Sequence, residues 1–461
     1  MFLAWNRTLD GSARISDMSD DHGVHSCSRS AASPRWRFPS RWVDGPLIVG
    51  AGPSGMATAA CLRVKGVPCT IIERNDQVGS LWKRKTYDRL HLHLPKRFCQ
   101  LPMFPFPDSY PTYPTRDQFV SYLDDYAERF DIKPEFNTAV SKAEFLAEFG
   151  IWAVSVVARP AAAMDELDRS CPRAAVATEQ YVFFARWLVV ATGENAEAFM
   201  PSFQGHEDYK GNIMHGSLYR NGKDFCAKKV LVVGCGNTGM EVALDLANYG
   251  ALPSLCIRDR LHVLPRELRL IGLMNLSTFE VGFWLAERFP LWVADKILVF
   301  LSWLTLGSTD RYGIRRPREA GPLELKRNTG RTAVLDVGTI AKVKSGHINV
   351  VPGIERLTKT GVLFTNGATE TFDTIIMATG YCSNVPNWLK NSDLFGDDGL
   401  PSSHAPHGWK GEHGLYAVGF GRKGLLGCAN DAVLVAEHIA RNGGFDGCAH
   451  DVDPVDGHIN G

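Results

Sequence analysis

Short apolar runs alternate along the chain with longer stretches in which small and apolar residues recur at helical spacing. The first compact run is LIV at 47–49, which leads into a turn at Gly50, and the stretch MATAACLRVKG that follows suits a helix. A similar run, KVLVV, precedes Gly234. This alternation is typical of parallel sheets covered by helices, so the pattern predicts an α/β fold.

Two stretches interrupt the pattern. The chain before Trp42 is rich in Ser and Arg, carries several Asp residues and lacks the apolar centre of a secretory signal, so we expect a mobile tail. Residues 159–180 are small, charged or proline and separate AVSVVA from YVFFARWLVVATG. They predict an inserted surface hairpin loop.

The segment ILVFLSWLTL at 297–306 comes nearest to a membrane span. It falls short of the roughly 20 apolar residues that a span needs. Because Lys296 precedes it and Asp310 follows shortly after, we predict an apolar helix that is buried or rests on a partner, with no transmembrane span. Peripheral membrane contact through 297–306 stays open.

Composition narrows the class of protein. A chain of 461 residues with 45% apolar content predicts two or three domains. Fifty basic and 50 acidic residues give a net charge of +0, which argues against nucleic acid as a partner. The 11 cysteines include no Cys-x-x-Cys pair, so we expect packing thiols in a reducing, cytoplasmic compartment, with no metal site and no redox dithiol.

The first glycine-rich loop carries a dinucleotide fingerprint between a strand and a helix. Its residues are Gly50, Ala51, Gly52, Pro53, Ser54 and Gly55. The first glycine permits the tight turn, the second lets the backbone approach a pyrophosphate, and the third allows close packing of helix on strand. Glu73 ends the next strand, about 20 residues on, where an acidic side chain is expected to hold ribose hydroxyls.

A second loop repeats the fingerprint after KVLVV. Its residues are Gly234, Cys235, Gly236, Asn237, Thr238 and Gly239. The next strand ends near Arg258 instead of an acid, and a guanidinium suits the 2′-phosphate of NADPH. Asp259 is able to neutralise part of that charge. A solvated arginine at a strand end is the alternative.

An Ala-Thr-Gly sequence follows an apolar strand downstream of each loop. The two copies are VVATGEN at 189–195 and IIMATGY at 375–381. Together they indicate strands whose ends turn beneath a cofactor and lead from one nucleotide domain to the other.

These motifs resemble those of the flavin-containing monooxygenases, and within them the plant YUCCA group of indole-3-pyruvate monooxygenases. The resemblance covers roughly 46–440 and is most specific in GAGPSGMATAACL, YDRLHLHLPKRFCQLP, GCGNTGMEVALDL and HVLPRE. It implies FAD on the first loop and NADPH on the second. The implied fold has two Rossmann-like dinucleotide-binding domains, with the NADP domain inserted in the FAD domain.

We place the domain boundaries accordingly. The tail covers 1–41, the discontinuous FAD domain covers 42–200 and 366–445, the NADP domain covers 201–365, and a second tail covers 446–461. The family signature matches Tyr209, Gly211, His215 and Tyr219, with Tyr209 in place of the usual Phe. The resemblance gives His215 a structural role in the linker between the domains.

Candidate catalytic residues also come from the resemblance. His93 occupies a slot, three residues before Lys96, where many nitrogen- and sulfur-oxidising members carry Asn. Asn195, after the first Ala-Thr-Gly, is the other polar candidate, and either residue is equally consistent with packing. Trp82 resembles a flavin-lining tryptophan, with a core role as the alternative, and Cys428 is expected to pack.

The activity implied is NADPH-dependent monooxygenation through a C4a-(hydro)peroxyflavin, converting an aromatic 2-oxo acid and dioxygen to a shortened acid. An N- or S-oxygenating monooxygenase shares the cofactor motifs, and a catalytically silent flavoprotein that binds a partner is the alternative of another class. Arg315 and Arg316 are candidates for the substrate carboxylate by charge only. The cytosolic face of the endoplasmic reticulum is the alternative location, and the oligomeric state is not predicted.

Overall fold

The computed structural model describes residues 38–158, 178–270, 274–402 and 408–445. Both predicted tails lie largely outside these ranges. The strands are β1 Ser40–Trp42, β2 Pro46–Val49, β3 Thr70–Ile72, β4 Thr138–Leu146, β5 Ile151–Ala158, β6 Glu179–Ala185, β7 Trp187–Val190, β8 Glu197–Ala198, β9 Asn212–His215, β10 Lys229–Val233, β11 Leu252–Cys256, β12 Val263–Pro265, β13 Glu267–Leu270, β14 Met274–Ser277, β15 Val334–Asp336, β16 Asn349–Val351, β17 Ile354–Leu357, β18 Gly361–Phe364, β19 Thr369–Thr371, β20 Thr374–Met377, β21 Tyr381–Cys382 and β22 Leu415–Ala417.

Ten α-helices accompany these strands in the described part of the chain. They are α1 Pro53–Val64, α2 Ser80–Arg84, α3 Arg116–Arg129, α4 Asn237–Asn248, α5 Thr278–Arg288, α6 Leu291–Leu306, α7 Pro322–Thr329, α8 Thr339–Lys344, α9 Val385–Trp388 and α10 Gly424–Gly443.

The first parallel sheet contains the first glycine loop. Its strand order is β22-β7-β2-β3, and every neighbouring pair is parallel. All residues of β2 are buried, because helices cover one face of the sheet and a second sheet covers the other. Ile48 points toward α1, α3 and α10, whereas Leu47 and Val49 pack toward β5 and α9.

The second parallel sheet contains the second glycine loop. Its order is β16-β11-β10-β20-β9, again with parallel pairs throughout. Val230 and Val232 pack toward α4 and α8, and Leu231 and Val233 pack toward the antiparallel β17-β18-β19 sheet. This alternation follows from the two-residue period of side chains along a strand. The α/β fold predicted from the pattern is confirmed.

Two features confirm predictions about the connections. β5 and β6 pair as an antiparallel hairpin around the predicted insertion, although 159–177 lie outside the described residues. β8 and β21 follow the two Ala-Thr-Gly turns and pair with each other in an antiparallel ribbon, Tyr381 opposite Ala198. The predicted connecting strands between the two sheets therefore exist and run side by side.

Three predicted boundaries are wrong. β1 begins at Ser40 because its backbone pairs with Val182–Phe184 of β6, so the tail cannot extend to 41. Glu179 already belongs to β6, so the insertion ends before 180. β20 pairs with β10 and thus belongs to the second sheet, which moves the return to the first domain from 366 to the turn after Met377. The later return of β22 and α10 to the first sheet confirms that this domain is discontinuous.

The segment 297–306 forms most of α6. One face of α6 is buried at Ala294, Leu298 and Ser302, in part against α5 and β12. The opposite face leaves large apolar side chains exposed: Trp292, Phe300, Trp303 and Leu304. Within the described ranges no helix is long and apolar enough to cross a membrane. The predicted burial therefore holds for one face of α6 and not for the other.

Candidate functional site

The first glycine loop has the backbone geometry that a pyrophosphate requires. Gly50 has φ +106°, and a β-carbon there would lie 2.7 Å from the Ala191 carbonyl oxygen. A β-carbon on Gly55 would lie 1.9 Å from the Gly50 carbonyl oxygen. At Gly52, in contrast, no described atom beyond the chain neighbours lies within 4 Å of the β-carbon position. Gly50 and Gly55 thus allow close contacts between backbone segments, whereas Gly52 leaves space open at the N-terminus of α1.

Glu73 connects the end of β3 to this loop. One carboxylate oxygen accepts a hydrogen bond from the Ala51 N–H at 2.9 Å, and the other accepts from the backbone and side-chain amides of Asn75. The residue is buried to 8% exposure and also lines the cavity above the loop. This placement supports its proposed role at the ribose of the nucleotide.

A cavity of about 360 Å³ opens above the carboxyl ends of the first sheet. The structure brings most of the predicted first-site residues to its wall: Gly50, Gly52, Pro53, Ser54, Glu73, Trp82 and Asn195. Trp82 also packs edge-to-face on Phe119 at 4.5 Å, so it both lines the cavity and packs against the core. Cys428 lines the cavity as a packed thiol, because burial raises its pKa to about 11.

The cavity wall also includes polar residues that were not named as candidates from the sequence, although two of them belong to the first Ala-Thr-Gly segment, 189–195. Thr192 Oγ1 and Asn384 Oδ1 are buried and find no hydrogen-bond partner among the described residues, and both residues line this cavity. Burial raises the pKa of Glu194, which lines it as well. Buried polar atoms without partners are costly, so the cavity fits a polar ligand of the size and kind of FAD. Asn384 comes from the return segment, about 190 residues from Asn195, and only the fold brings them together.

The second glycine loop repeats the first in detail. Gly234 has φ +109°, and a β-carbon there would lie 2.4 Å from the Ala378 carbonyl oxygen. Gly239 would meet the Gly234 carbonyl oxygen at 2.0 Å, whereas Gly236 has open space. Gly52 and Gly236 share φ −81°, with ψ −174° and −176°. Each Ala-Thr-Gly turn therefore lies against its own glycine loop.

The remaining residues of the second loop have structural contacts. Asn237 Oδ1 accepts a hydrogen bond from the Leu335 N–H at 3.0 Å, and burial raises the pKa of the Cys235 thiol to about 12. Thr238 lies beside the backbone of Gly216. The side chains therefore stabilise the loop, and the space at Gly236 is left for a ligand.

Arg258 lies just beyond β11, where the sequence placed it. Its guanidinium contacts one carboxylate oxygen of Asp259, with Nη2 at 2.9 Å and Nε at 3.2 Å. Its side chain is 82% exposed. The predicted competition from Asp259 is therefore present, and a 2′-phosphate has to displace or share this ion pair.

His215 joins the second sheet to the connecting ribbon. Its Nδ1 accepts from the Ser217 N–H at 3.1 Å, which places the proton on Nε2, and Nε2 donates to the Gly380 carbonyl oxygen at 3.0 Å. Burial lowers its pKa, so the ring is neutral. The Tyr219 hydroxyl donates to Asp245 on α4 at 2.7 Å. The structural role expected for His215 is confirmed.

His93 does not line the cavity above the first loop. Its Nδ1 lies 3.4 Å from the Glu241 carboxylate on α4, between the first domain and the helix of the second loop. Arg316 donates to the Ser302 hydroxyl of α6, and Arg315 is exposed. The structure therefore brings Asn195 to the first site, and leaves His93 and the two arginines outside its wall.

The structure has two glycine loops, each in its own parallel sheet. An acid lies at the ribose position of the first loop and an arginine at that of the second. This arrangement defines a flavoprotein oxidoreductase that uses two dinucleotides. The model of the flavin-binding monooxygenase-like family matches residues 46–394. The chain belongs to this family. The protein is thus a flavin-dependent monooxygenase, and the expectation of FAD and NADPH as cofactors is confirmed at the level of family and fold.

Curated plant proteins are similar to the chain over most of its length. The probable indole-3-pyruvate monooxygenase YUCCA3 of Arabidopsis thaliana is 51% identical over 399 residues, which cover 87% of each chain. Indole-3-pyruvate monooxygenase YUCCA6 of the same plant is 49% identical over 442 residues, covering 95% of this chain and 97% of the relative. The family resemblance inferred from the motifs is confirmed.

Solved structures show the same fold at low sequence identity. A flavin-containing monooxygenase from Stenotrophomonas maltophilia superposes with a TM-score of 0.62 at 19% identity, covering 87% of this chain and 99% of that one. An oxidised steroid monooxygenase bound to NADP gives 0.64 at 18% identity, with coverage of 88% and 86%. The two-domain arrangement is therefore that of known flavin monooxygenases.

We predict that Gly52→Ala abolishes FAD binding without unfolding the protein. The backbone angles at Gly52 are open to alanine, and no described atom beyond its chain neighbours lies within 4 Å of the β-carbon position, so the added methyl group should clash with the pyrophosphate. The purified variant should be colourless, with a circular dichroism spectrum like that of the flavin-free wild type. The equivalent Gly236→Ala variant is the matched control and should keep its flavin absorbance while losing NADPH. Full flavin content in Gly52→Ala would contradict the assignment of this loop.

We predict that Arg258→Ala weakens the binding of NADPH roughly ten- to a hundredfold, because a charge-assisted contact to the 2′-phosphate is lost. NADH lacks this phosphate and should change little. Asp259→Ser should strengthen NADPH binding, since it frees the guanidinium from its present partner. Anaerobic flavin reduction rates across concentrations of both nucleotides measure the effect. Equal losses for NADPH and NADH would show that Arg258 is structural.

Proposed function

We propose that the protein converts indole-3-pyruvate to indole-3-acetate. In the balanced reaction, the 2-oxo acid, dioxygen, NADPH and a proton give the shortened acid, carbon dioxide, water and NADP⁺. The observation that carries this proposal is the 49% identity to an indole-3-pyruvate monooxygenase over 95% of the chain. Indole-3-acetate is an auxin, so the proposed reaction belongs to auxin biosynthesis.

The geometry of the two loops supports this assignment. The open positions at Gly52 and Gly236 lie at the N-termini of α1 and α4, where free backbone N–H groups favour the phosphates of FAD and NADPH. The flavin, when bound, supplies the chemistry that activates oxygen. The chain binds and orients the two nucleotides and covers the flavin, with Trp82 and Trp388 on the cavity wall to exclude water.

The product identifies the reaction. Holoenzyme supplied with NADPH, air and indole-3-pyruvate should form indole-3-acetate and carbon dioxide in equal amounts, because the ketone carbon keeps the new oxygen and the carboxyl group leaves. Mass spectrometry with ¹⁸O₂ should show one labelled oxygen in the acid. Boiled enzyme is the control for spontaneous decarboxylation of the substrate. N-oxides or S-oxides from amines or thioethers, with no acid from any 2-oxo acid, would establish the alternative activity.

We also infer a cytoplasmic protein that contacts a membrane surface through α5 and α6. The exposed side chains Trp292, Lys296, Phe300, Trp303 and Leu304 recur at three- and four-residue spacing, so they lie on one face of α6. Phe283, Trp284 and Phe289 are exposed on and beside α5, which packs against α6. We call these eight residues the aromatic face.

Cations accompany the aromatic face. Lys296 lies 4.9 Å from the ring centroid of Trp292, and Arg288 lies 4.9 Å from that of Trp284. Tryptophan with neighbouring Lys or Arg is typical of segments that lie in the membrane interface, where the ring enters the lipid and the cation meets anionic headgroups. This combination supports an anionic lipid surface as the partner.

We predict that Trp292→Ser combined with Trp303→Ser abolishes flotation with lipid vesicles. Both rings are more than half exposed, so their removal should leave the fold and the activity intact. Wild-type protein should float with vesicles of phosphatidylcholine and phosphatidylserine, and less with phosphatidylcholine alone. The matched control, Val433→Ser with Leu434→Ser, removes two exposed apolar side chains from α10 and should float like wild type. Flotation of the tryptophan variant equal to wild type would exclude this face as the contact.

A further inference from the structure

Polar atoms without partners are concentrated at one place outside the cavity of the first loop. In the described part of the chain, eight buried side-chain polar atoms have no hydrogen-bond partner. Five of them lie in one connected group of residues: Tyr87 Oη, His93 Nδ1, Tyr113 Oη, Glu241 Oε1 and Arg266 Nε. Tyr87 Oη and His93 Nδ1 face the Glu241 carboxyl, and Tyr113 Oη faces Ser277, so these atoms have polar neighbours. Arg266 Nε is the member with no hydrogen-bond partner among the described residues, and a buried donor in that position indicates a place that receives an acceptor.

The members of this group come from separate parts of the fold. His93 Nδ1 lies 3.4 Å from Glu241 Oε1, and the hydroxyl of Tyr87 faces the same carboxyl group. The guanidinium carbon of Arg266 lies 4.3 Å from the ring centroid of Tyr113. The residues 87–93 precede α3, Glu241 is on the first turns of α4, and Arg266 lies between β12 and β13. The group therefore fills the junction between the first domain and the helix of the second glycine loop.

Arg266 is the cation of this group that is left without an acid. Among the described residues no carboxylate oxygen lies within 4.0 Å of its guanidinium, and its close neighbour is the face of the Tyr113 ring. Arg89, in contrast, has its Nε 3.8 Å from Glu241. A half-buried guanidinium in low dielectric binds a carboxylate more strongly than one in water, and its fork matches the two oxygens.

The neighbours leave this cation available near neutral pH. Burial, aided by the positive charge of Arg266, lowers the pKa of His93 to about 4, so the imidazole is neutral. Burial raises the pKa of Glu241 to about 7, although the positive charges of Arg89 and Arg266 act against this rise, so the carboxyl is partly protonated near neutral pH. The Glu241 carboxyl therefore competes weakly for the guanidinium.

We propose that Arg266 binds the carboxylate of the substrate, with Tyr113 and His93 beside it. The proposal rests on the proposed function, because a 2-oxo acid brings the anion that this site selects. It also gives His93 a place beside the substrate rather than on the wall of the flavin cavity. The sequence-based candidates Arg315 and Arg316 are replaced, since one is exposed and the other donates to a hydroxyl on α6.

The test compares ligands that differ in one group. Indole-3-lactate carries a carboxylate, and tryptophol has the same ring without one; neither is oxidised by the proposed reaction, so calorimetric titration of the oxidised holoenzyme measures binding alone. Arg266→Gln should weaken the binding of indole-3-lactate roughly ten- to a hundredfold and leave the affinity for tryptophol little changed. The KM for indole-3-pyruvate should rise by a similar factor, while anaerobic flavin reduction by NADPH stays as in wild type.

Two further variants complete the test. Arg311→Gln is the matched control, because Arg311 also stacks on a tyrosine ring, with 4.9 Å to the centroid of Tyr312. It should bind both ligands like wild type. Arg266→Lys keeps the charge and loses the fork, so it should fall between wild type and Arg266→Gln, and it decides the question if the glutamine variant does not retain flavin.

Failure of this proposal is distinct from failure of the proposed function. Unchanged affinity for indole-3-lactate in the folded Arg266 variants, or an equal loss for tryptophol, would overturn the role of Arg266 even if wild type produces indole-3-acetate. Wild type that forms no acid from any 2-oxo acid would overturn the proposed function. In that case a selective loss of affinity for indole-3-lactate in Arg266→Gln would still support a carboxylate-binding site.

Discussion

The structure depends on a steric constraint between backbones. In each parallel sheet the glycine loop approaches the turn that follows the neighbouring strand so closely that a β-carbon at Gly50 or Gly234 would overlap a carbonyl oxygen. The third glycine of each loop meets the carbonyl of the first in the same way. These contacts bring the N-terminus of the following helix to the sheet edge, and they place both Ala-Thr-Gly turns beside a nucleotide site. The same turns begin the ribbon that joins the domains.

The same turns connect the two nucleotide sites through a pair of hydrogen-bonded strands. β8 and β21 leave the two turns and pair with each other, and His215 bonds to the carbonyl of Gly380 at the start of the second crossing. The strand that leaves the turn beside one glycine loop is therefore hydrogen-bonded to the strand that leaves the turn beside the other. The Arg266 group lies at the same junction, where α4 meets the segment 87–93 of the first domain. With Arg266 in the proposed role, the substrate carboxylate binds where the two nucleotide domains meet.

Local signals predicted much of this arrangement, and tertiary contacts account for the rest. The glycine loops, Glu73 and Arg258 each follow a strand in sequence, so their places were predictable from short patterns. The boundary at 366 was wrong because an apolar run such as TIIM does not say which sheet it joins. The pairing of His93 with Glu241 had no signal, because it joins residues about 150 positions apart through the docking of two domains. The family resemblance identified the position of His93 in the motif but not the residues that His93 contacts.

The discontinuity of the first domain has a consequence for its synthesis. Strand β22 and helix α10, which packs on α1, are the last described elements of the chain, yet they complete the sheet that begins at Pro46. A ribosome therefore releases every strand of the second sheet before it releases the edge strand of the first. The inserted domain is able to fold while the first still waits for its final strand and helix. The nascent first domain cannot close its core around α1 until β22 and α10 have been made, so capture of flavin follows the synthesis of the whole inserted domain.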